Sequence, residues 1–136
     1  MLKKINHVAI AVNNLEETAK FYQNILGLNL AGVEVVTAQK TKAGFLKIGE
    51  SNIELLEPAE PTSPLVKFLE TKGQGIHHIC FEVDDIESAV KVFLERGAIM
   101  IDQKPRPGAH HTKVTFIHPK SSSGVLIELC ELPKEG

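Results

Sequence analysis

GIHHICFEV, residues Gly75–Val83, repeats a pattern that has already occurred once in the chain. Shifted by 71 residues, INHVAIAVNNLEETAK from Ile5 lies over IHHICFEVDDIESAVK from Ile76. Ile5 and Ile76, His7 and His78, Val12 and Val83, Glu16 and Glu87, and Lys20 and Lys91 coincide; most other pairs are like for like, such as Val8 with Ile79 and Asn14 with Asp85. This is an internal duplication. Successive strand side chains point to opposite faces. His78 therefore shares a face with Cys80 and Glu82, and His77 shares the other with Ile79, Phe81 and Val83. In the first copy His7 goes with Ala9 and Ala11, against Val8, Ile10 and Val12. One face is strongly apolar and is expected beneath the helix that follows. The other is small and carries a histidine in each copy.

The chain has 136 residues, enough for one domain with a single core that the two copies, about residues 1–72 and 73–136, must share. Its 43% hydrophobic and 24% charged residues belong to a soluble globular protein. A net charge of -2 offers no general attraction to nucleic acid. No run approaches the roughly 18 apolar residues of a spanning helix, and the apolar run after Lys3 and Lys4 is too short for a signal peptide. The expectation is a cytoplasmic protein with no nucleic-acid and no membrane partner. Cys80 and Cys130 sit in apolar strand-like runs without C-x-x-C spacing, which fits reduced thiols that fill a core.

The pattern predicts a strand over Ile5–Val12, then a helix opened by Asn14 with Glu17, carried by Leu15, Ala19, Tyr22 and Leu26, and closed at Gly27. Strands follow over Leu30–Val36, Lys42–Ile48 and Ile53–Glu57. Ser63-Pro64 has the cap-then-proline signature of a short helix running to Thr71. The second copy reads as a strand over Ile76–Val83, a helix from Asp85 to Arg96, and strands near Ile99–Ile101, Lys113–His118 and Val125–Glu131. Each copy is strand, helix, three strands. The long loop Gln103–Thr112 is the main departure, and long loops in compact domains are often functional.

Carried to the last strands, the duplication sets IELLE at Ile53–Glu57 over IELCE at Ile127–Glu131, so Glu54 matches Glu128. Glu54 shares its face with Leu56, and Glu128 with Leu126 and Cys130, so both carboxylates are expected to be buried. A buried ionised carboxylate needs a cation, a proton or strong donors. Each repeat thus supplies one His and one Glu, and two repeats supply four ligands, His7, Glu54, His78 and Glu128. Two imidazoles with two carboxylates suit a divalent ion such as Co2+, Mn2+, Ni2+, Zn2+ or Fe2+. His77 lies on the helix side and is set aside as a ligand, His118 before Pro119 reads as a turn residue, and His110 and His111 sit in the long loop.

HVAIAV with its helix, HHICFEVDDIE, IELLEP and GVLIELCE resemble the vicinal oxygen chelate, or glyoxalase-like, superfamily. Within it, SNIELLEP, SPLVKFLETKGQGIHHICFEVDDI, KPRPGA, FIHPK and GVLIELCE are similar to the methylmalonyl-CoA epimerase family, over nearly the whole chain. The resemblance implies an α+β fold of two βαβββ modules forming one eight-stranded cup around a single divalent metal, and a homodimer. The family's ligands fall on the same four residues, His7, Glu54, His78 and Glu128. Some relatives carry Gln where Glu54 stands, which makes this site one charge more negative. Co2+ is the expected ion, with Mn2+, Ni2+ or Zn2+ as alternatives and no organic cofactor.

The implied activity is isomerisation of a coenzyme A thioester, methylmalonyl-CoA, by removal and return of its α proton. An ion with two open positions can chelate the thioester and carboxylate oxygens and stabilise the enolate. Inversion calls for an acid and a base on opposite faces of the reacting carbon. Glu128 is the expected base, with Glu54 or a bound water opposite. The segment Ala38–Ile48, where some family members place a second acid, holds none here, and its Lys42 and Lys47 are the other groups weighed. Lys104, Arg106, Lys113 and Lys120 are the expected contacts for the coenzyme A portion. Two other readings use the same fold. A glyoxalase-type lyase or isomerase acts on a thiol adduct, and a non-enzymatic small-molecule-binding member typically lacks the metal set.

Overall fold

The computed structural model describes residues 1–134. Among them the elements run β1 (Leu2–Ala11), α1 (Leu15–Asn24), β2 (Leu30–Val36), β3 (Thr41–Ile48), β4 (Ser51–Pro58), α2 (Pro64–Lys72), β5 (Gly75–Val83), α3 (Ile86–Glu95), β6 (Arg106–Pro107), β7 (Lys113–Ile117) and β8 (Ile127–Glu131). Strand, helix and three strands occur twice with α2 between, the doubled βαβββ order of an α+β chain. By its contacts the chain divides into two compact units, His7–His77, and Met1–Asn6 with the chain from His78 onward.

In the first unit the strand order is β2-β3-β4-β1, with β1 parallel to β4 and the rest antiparallel. Val12, Leu46 and Leu55, with Ile10 and Ile53 beside them, meet Leu15 and Ala19 of α1. Leu15, Leu46 and Leu55 are fully buried, and each such leucine stabilises the fold by about 1.5–3 kcal/mol. Gly44 on β3 makes the close approach possible, since a Cβ there would stand 2.9 Å from Leu15 Cδ2. The second unit has the order β5-β8-β7-β6, with β8 parallel to β5. Val83 and Leu129 pack against Ile86, Ala89 and Val90 of α3, with Phe81, Ile117 and Ile127 alongside. The apolar face of each first strand is therefore the helix-covered one, as the alternation requires.

Both long helices begin in the same way. Asn14 accepts from the Glu17 amide and Asp85 from the Ser88 amide, which satisfies a first-turn donor. The next amide is met from the last strand of the unit: Leu15 N–H donates to Glu57 at 2.8 Å and Ile86 N–H to Glu131 at 2.9 Å. A lysine closes each arrangement. Lys42 Nζ lies 2.6 Å from Glu16 and 3.9 Å from Glu57, and Lys113 Nζ lies 3.6 Å from Glu87 and 3.9 Å from Glu131. The duplication thus extends to a helix-anchoring clamp of two acids and a lysine.

Two local features differ from the sequence pattern. Residues 99–101 form no strand; Met100 makes an isolated bridge to Ile117, and Thr115 Oγ donates to Asp102 O at 2.6 Å where the chain turns away. The outer strand of the second unit is instead Arg106–Pro107, inside what reads as a loop. The first helix stops at Asn24, three residues before Gly27, which does take the left-handed conformation at φ 76° while Leu28 N–H donates to Tyr22 O.

The clamp can be tested by stability. Glu131→Leu leaves the Ile86 amide without its acceptor and should lower the unfolding free energy by about 1–3 kcal/mol. Lys113→Met removes two long ion pairs made by a lysine that is itself exposed, and should cost less than about 1 kcal/mol. Urea unfolding midpoints of the two variants give the comparison.

Candidate functional site

The face of each unit turned away from its helix carries the matched polar residues. In the first unit β1 runs parallel to β4, with His7 opposite Asn52 and Ala9 opposite Glu54. His7 Nδ1 comes to 2.9 Å from Glu54 Oε2. The two residues are 6% and 8% exposed, so this is a buried ion pair if the ring is protonated and a buried hydrogen bond if it is neutral. Ala9 and Ala11, both fully buried, keep the surrounding surface low. Phe45 stands across from Glu54 on β3.

The second unit repeats the arrangement. Cys80 lies opposite Glu128 in the β5–β8 pairing, and His78 Nε2 comes to 2.7 Å from Glu128 Oε1. Their residues are each 5% exposed. Phe116 stands across from Glu128 on β7, and its ring meets that of His78 edge-on with centroids 5.6 Å apart. Cys80, Cys130 and Val114 fill the space beside the pair, and neither cysteine is in a disulfide. His77 turns to the other side, where its ring packs edge-on against Phe68 of α2 at 4.8 Å.

Each unit therefore brings together one imidazole and one carboxylate in a largely apolar setting. Removing a charge from water without compensation is costly, so such a pair persists by sharing a proton or by sharing a cation. Nitrogen and oxygen donors already at hydrogen-bond distance, deep enough to shed water, fit a divalent ion of intermediate softness.

The four basic residues expected to meet substrate are placed differently from one another. Arg106, on β6, pairs with Val114 and lays its guanidinium 5.5 Å above the Phe116 ring. It is thus one ring removed from His78. Asp102 Oδ2 holds it at 3.3 Å from Nε, an ion pair without the angle of a hydrogen bond. The turn beyond it is tight. Gly108 N–H donates to Thr112 O at 3.0 Å, a Cβ on Gly108 would meet Val114 at 2.6 Å, and His110 and His111 both adopt positive φ. Lys104 and Lys120 are exposed, in the bend before β6 and the turn after β7. Lys113 belongs to the clamp at the start of α3, on the face opposite His78 and Glu128, because it alternates with buried Val114 and Phe116. Lys42 likewise projects to the helix side, where its hydrogen bond to Glu16 raises its pKa instead of lowering it. That placement removes Lys42 as a donor beside Glu54.

A family model described as the glyoxalase/bleomycin resistance protein/dioxygenase superfamily matches residues 6–116. The mitochondrial methylmalonyl-CoA epimerase of Dictyostelium discoideum is 43% identical over 129 residues, 94% of this chain and 78% of its own length. The ethylmalonyl-CoA/methylmalonyl-CoA epimerase of Cereibacter sphaeroides is 40% identical over 131 residues, 95% of this chain and 98% of its own. A solved methylmalonyl-CoA epimerase in complex with methylmalonyl-CoA and NH4+ matches with a TM-score of 0.92 at 33% identity, covering 97% of this chain and 96% of that one. The chain belongs to the glyoxalase-like superfamily, with its vicinal oxygen chelate fold, and within it to the methylmalonyl-CoA epimerases.

The opposite facing of the adjacent histidines gives a direct prediction. His78→Ala should weaken binding of a divalent ion at least about tenfold, since loss of even an outer partner of a ligand costs 10–100-fold. His77→Ala should leave it unchanged. Calorimetric titration of metal-free protein with Co2+ measures both.

Proposed function

We propose that the chain is an isomerase that interconverts (R)- and (S)-methylmalonyl-CoA by taking the α proton from one face and returning one to the other. The observation that carries the reading is the buried His–Glu pair present in each repeat, on a chain similar along nearly its whole length to methylmalonyl-CoA epimerases. His7, Glu54, His78 and Glu128 would hold the divalent ion, with Co2+ the best match and Mn2+, Ni2+ or Zn2+ the alternatives. Bound there, the ion supplies a Lewis acid toward the acyl oxygens and so makes the α C–H more acidic. The remaining work falls to the protein.

Glu128 takes the proton. Its Oε1 lies 2.7 Å from His78 Nε2, which fixes the carboxylate beside the acyl group it would deprotonate. The apolar walls of Val114, Phe116 and Cys80 exclude water from that carboxylate, which strengthens every charge interaction beside it. Arg106, held over Phe116, meets negative charge at the acyl end of the substrate. Lys104 and Lys120, exposed on flanking turns, meet the phosphates of the coenzyme A portion. Lys113 is left out of the substrate contacts on account of its place in the helix clamp.

The assembly we expect is a cytoplasmic homodimer. Cys80 and Cys130, buried and not joined in a disulfide, suit a reducing compartment, and no helix of the described residues is long and apolar enough to cross a membrane. On β2, which pairs only with β3 among the described residues, Val33 and Val35 stand 45% and 57% exposed, an apolar edge of the kind that a second copy covers. Light scattering should return twice the chain mass.

In heavy water, metal-loaded protein with methylmalonyl-CoA should collapse the methyl doublet in the proton NMR spectrum as the α position gains deuterium. Metal-stripped protein should not. Glu128→Gln should slow inversion by about 10²–10⁴. Inversion by that variant at the unaltered rate would remove Glu128 from the reaction.

A further inference from the structure

Arg106 stands between Pro105 and Pro107. A residue that precedes a proline is confined to extended backbone, and each proline carries a fixed φ, so the chain that bears the arginine has little freedom. The side chain is another matter, since a part-exposed arginine loses much rotamer freedom when it is held in one place. It is held from below by the Phe116 ring, 5.5 Å under the guanidinium, and from one edge by Asp102, whose Oδ2 lies 3.3 Å from Nε. Asp102 is itself delivered by β7, the strand that carries Phe116. Ile101 N–H donates to Phe116 O at 2.9 Å, and the fully buried Thr115 donates through Oγ to Asp102 O at 2.6 Å. Residues 99–101, where the order of the first repeat calls for a strand, thus form a short tether that ends at this acid.

We infer that Asp102 is a positioning residue for the free carboxylate of the acyl group, acting through Arg106, an inference that rests on the function proposed above. Asp102 Oδ2 and Arg106 Nε are both buried, and neither makes a hydrogen bond among the described residues although they face each other. A pair that is close but misaligned leaves both atoms unsatisfied, which costs stability unless something else brings them into line. A carboxylate does so when it takes the terminal nitrogens, Nη1 and Nη2, as a fork. No described residue pairs with that edge of the guanidinium. Bound in this way, the arginine is fixed by the aromatic face, by Asp102 at Nε and by the substrate at the fork, and bonds that are long in the free protein tighten in the complex. Phe116 stands opposite Glu128 and meets His78 edge-on at 5.6 Å, so the fork is one ring away from the pair beside the reacting carbon. The substrate class follows: a thioester whose α carbon also bears a free carboxylate, chosen over a thioester of the same length that lacks one.

The test compares calorimetric binding of methylmalonyl-CoA and propionyl-CoA, which differ by that carboxylate, to Co2+-loaded protein. Wild-type protein should prefer the carboxylated ester. Asp102→Ala should reduce the preference by about threefold to tenfold, the cost of immobilising one long side chain on binding. Its Co2+ affinity and melting temperature should be kept, because Thr115 holds the backbone of Asp102 and not its side chain. Asp102→Asn retains an acceptor for Nε and should recover most of the loss. Arg106→Met still covers Phe116 and should reduce the preference by at least about tenfold. Adding Asp102→Ala to Arg106→Met should then change nothing further, since Asp102 acts only through the arginine. If Asp102 were no more than a counter-charge, its removal would free Arg106 and strengthen the preference. A strengthened or unchanged preference in Asp102→Ala, no recovery in Asp102→Asn, or a further loss in the double variant overturns the assignment. Wild-type protein that gives the expected binding ratios yet exchanges no α proton of methylmalonyl-CoA contradicts the epimerase function alone, which is a separate result.

Discussion

A carboxylate buried beside an imidazole is the constraint to which the rest of this chain answers. Glu54 and Glu128 sit within strands where an apolar residue would pack more easily, and each is nearly out of reach of water. Such a group is tolerable only if its partner is held at hydrogen-bond distance, which requires the strand carrying the histidine to lie in parallel register beside the strand carrying the acid. The βαβββ order supplies that register, because the helix returns the chain so that the last strand can pair with the first. The clamps at the helix starts belong to the same requirement. By tying Leu15 and Ile86 to Glu57 and Glu131, they fix each helix against the very strand that carries the buried acid.

Much of this was legible in the residues. The duplication exposed His7 with His78 and Glu54 with Glu128, and alternation alone separated His78 from His77, because both copies keep one face apolar throughout. The same alternation places the lysines that composition alone misassigns, and it gives way only where the backbone is irregular. Lys113 reads as one more cation of a basic loop, yet it follows the loop and begins β7, where its parity points it to α3. Lys42 is drawn to the helix side by the same parity. Arg106 reads as loop and lies in a two-residue strand, since Pro105 and Pro107 mask the pairing with Val114 and Lys113. The bulge in β2 is hidden for a different reason: nothing in LAGVEVV announces it, although the small residues Ala31 and Gly32 are where one is most easily accommodated.

The two modules also show how a duplicated scaffold acquires direction. The His, Glu and Phe of one have counterparts in position in the other. Glu34 and Arg106 break the equivalence. They occupy corresponding places on outer strands, opposite Ala43 and Val114 respectively, and one is an acid where the other is a base.

The central claim is that the paired histidines and glutamates serve one ion. X-ray absorption of Co2+-loaded protein, combined with calorimetric stoichiometry, addresses it most directly. One ion per chain is expected, coordinated by two imidazole nitrogens with oxygen completing the shell. Two ions per chain with a single imidazole each would mean that the repeats bind independently, and a sulfur ligand from Cys80 or Cys130 would mean that the donor set is a different one; either result would contradict the account.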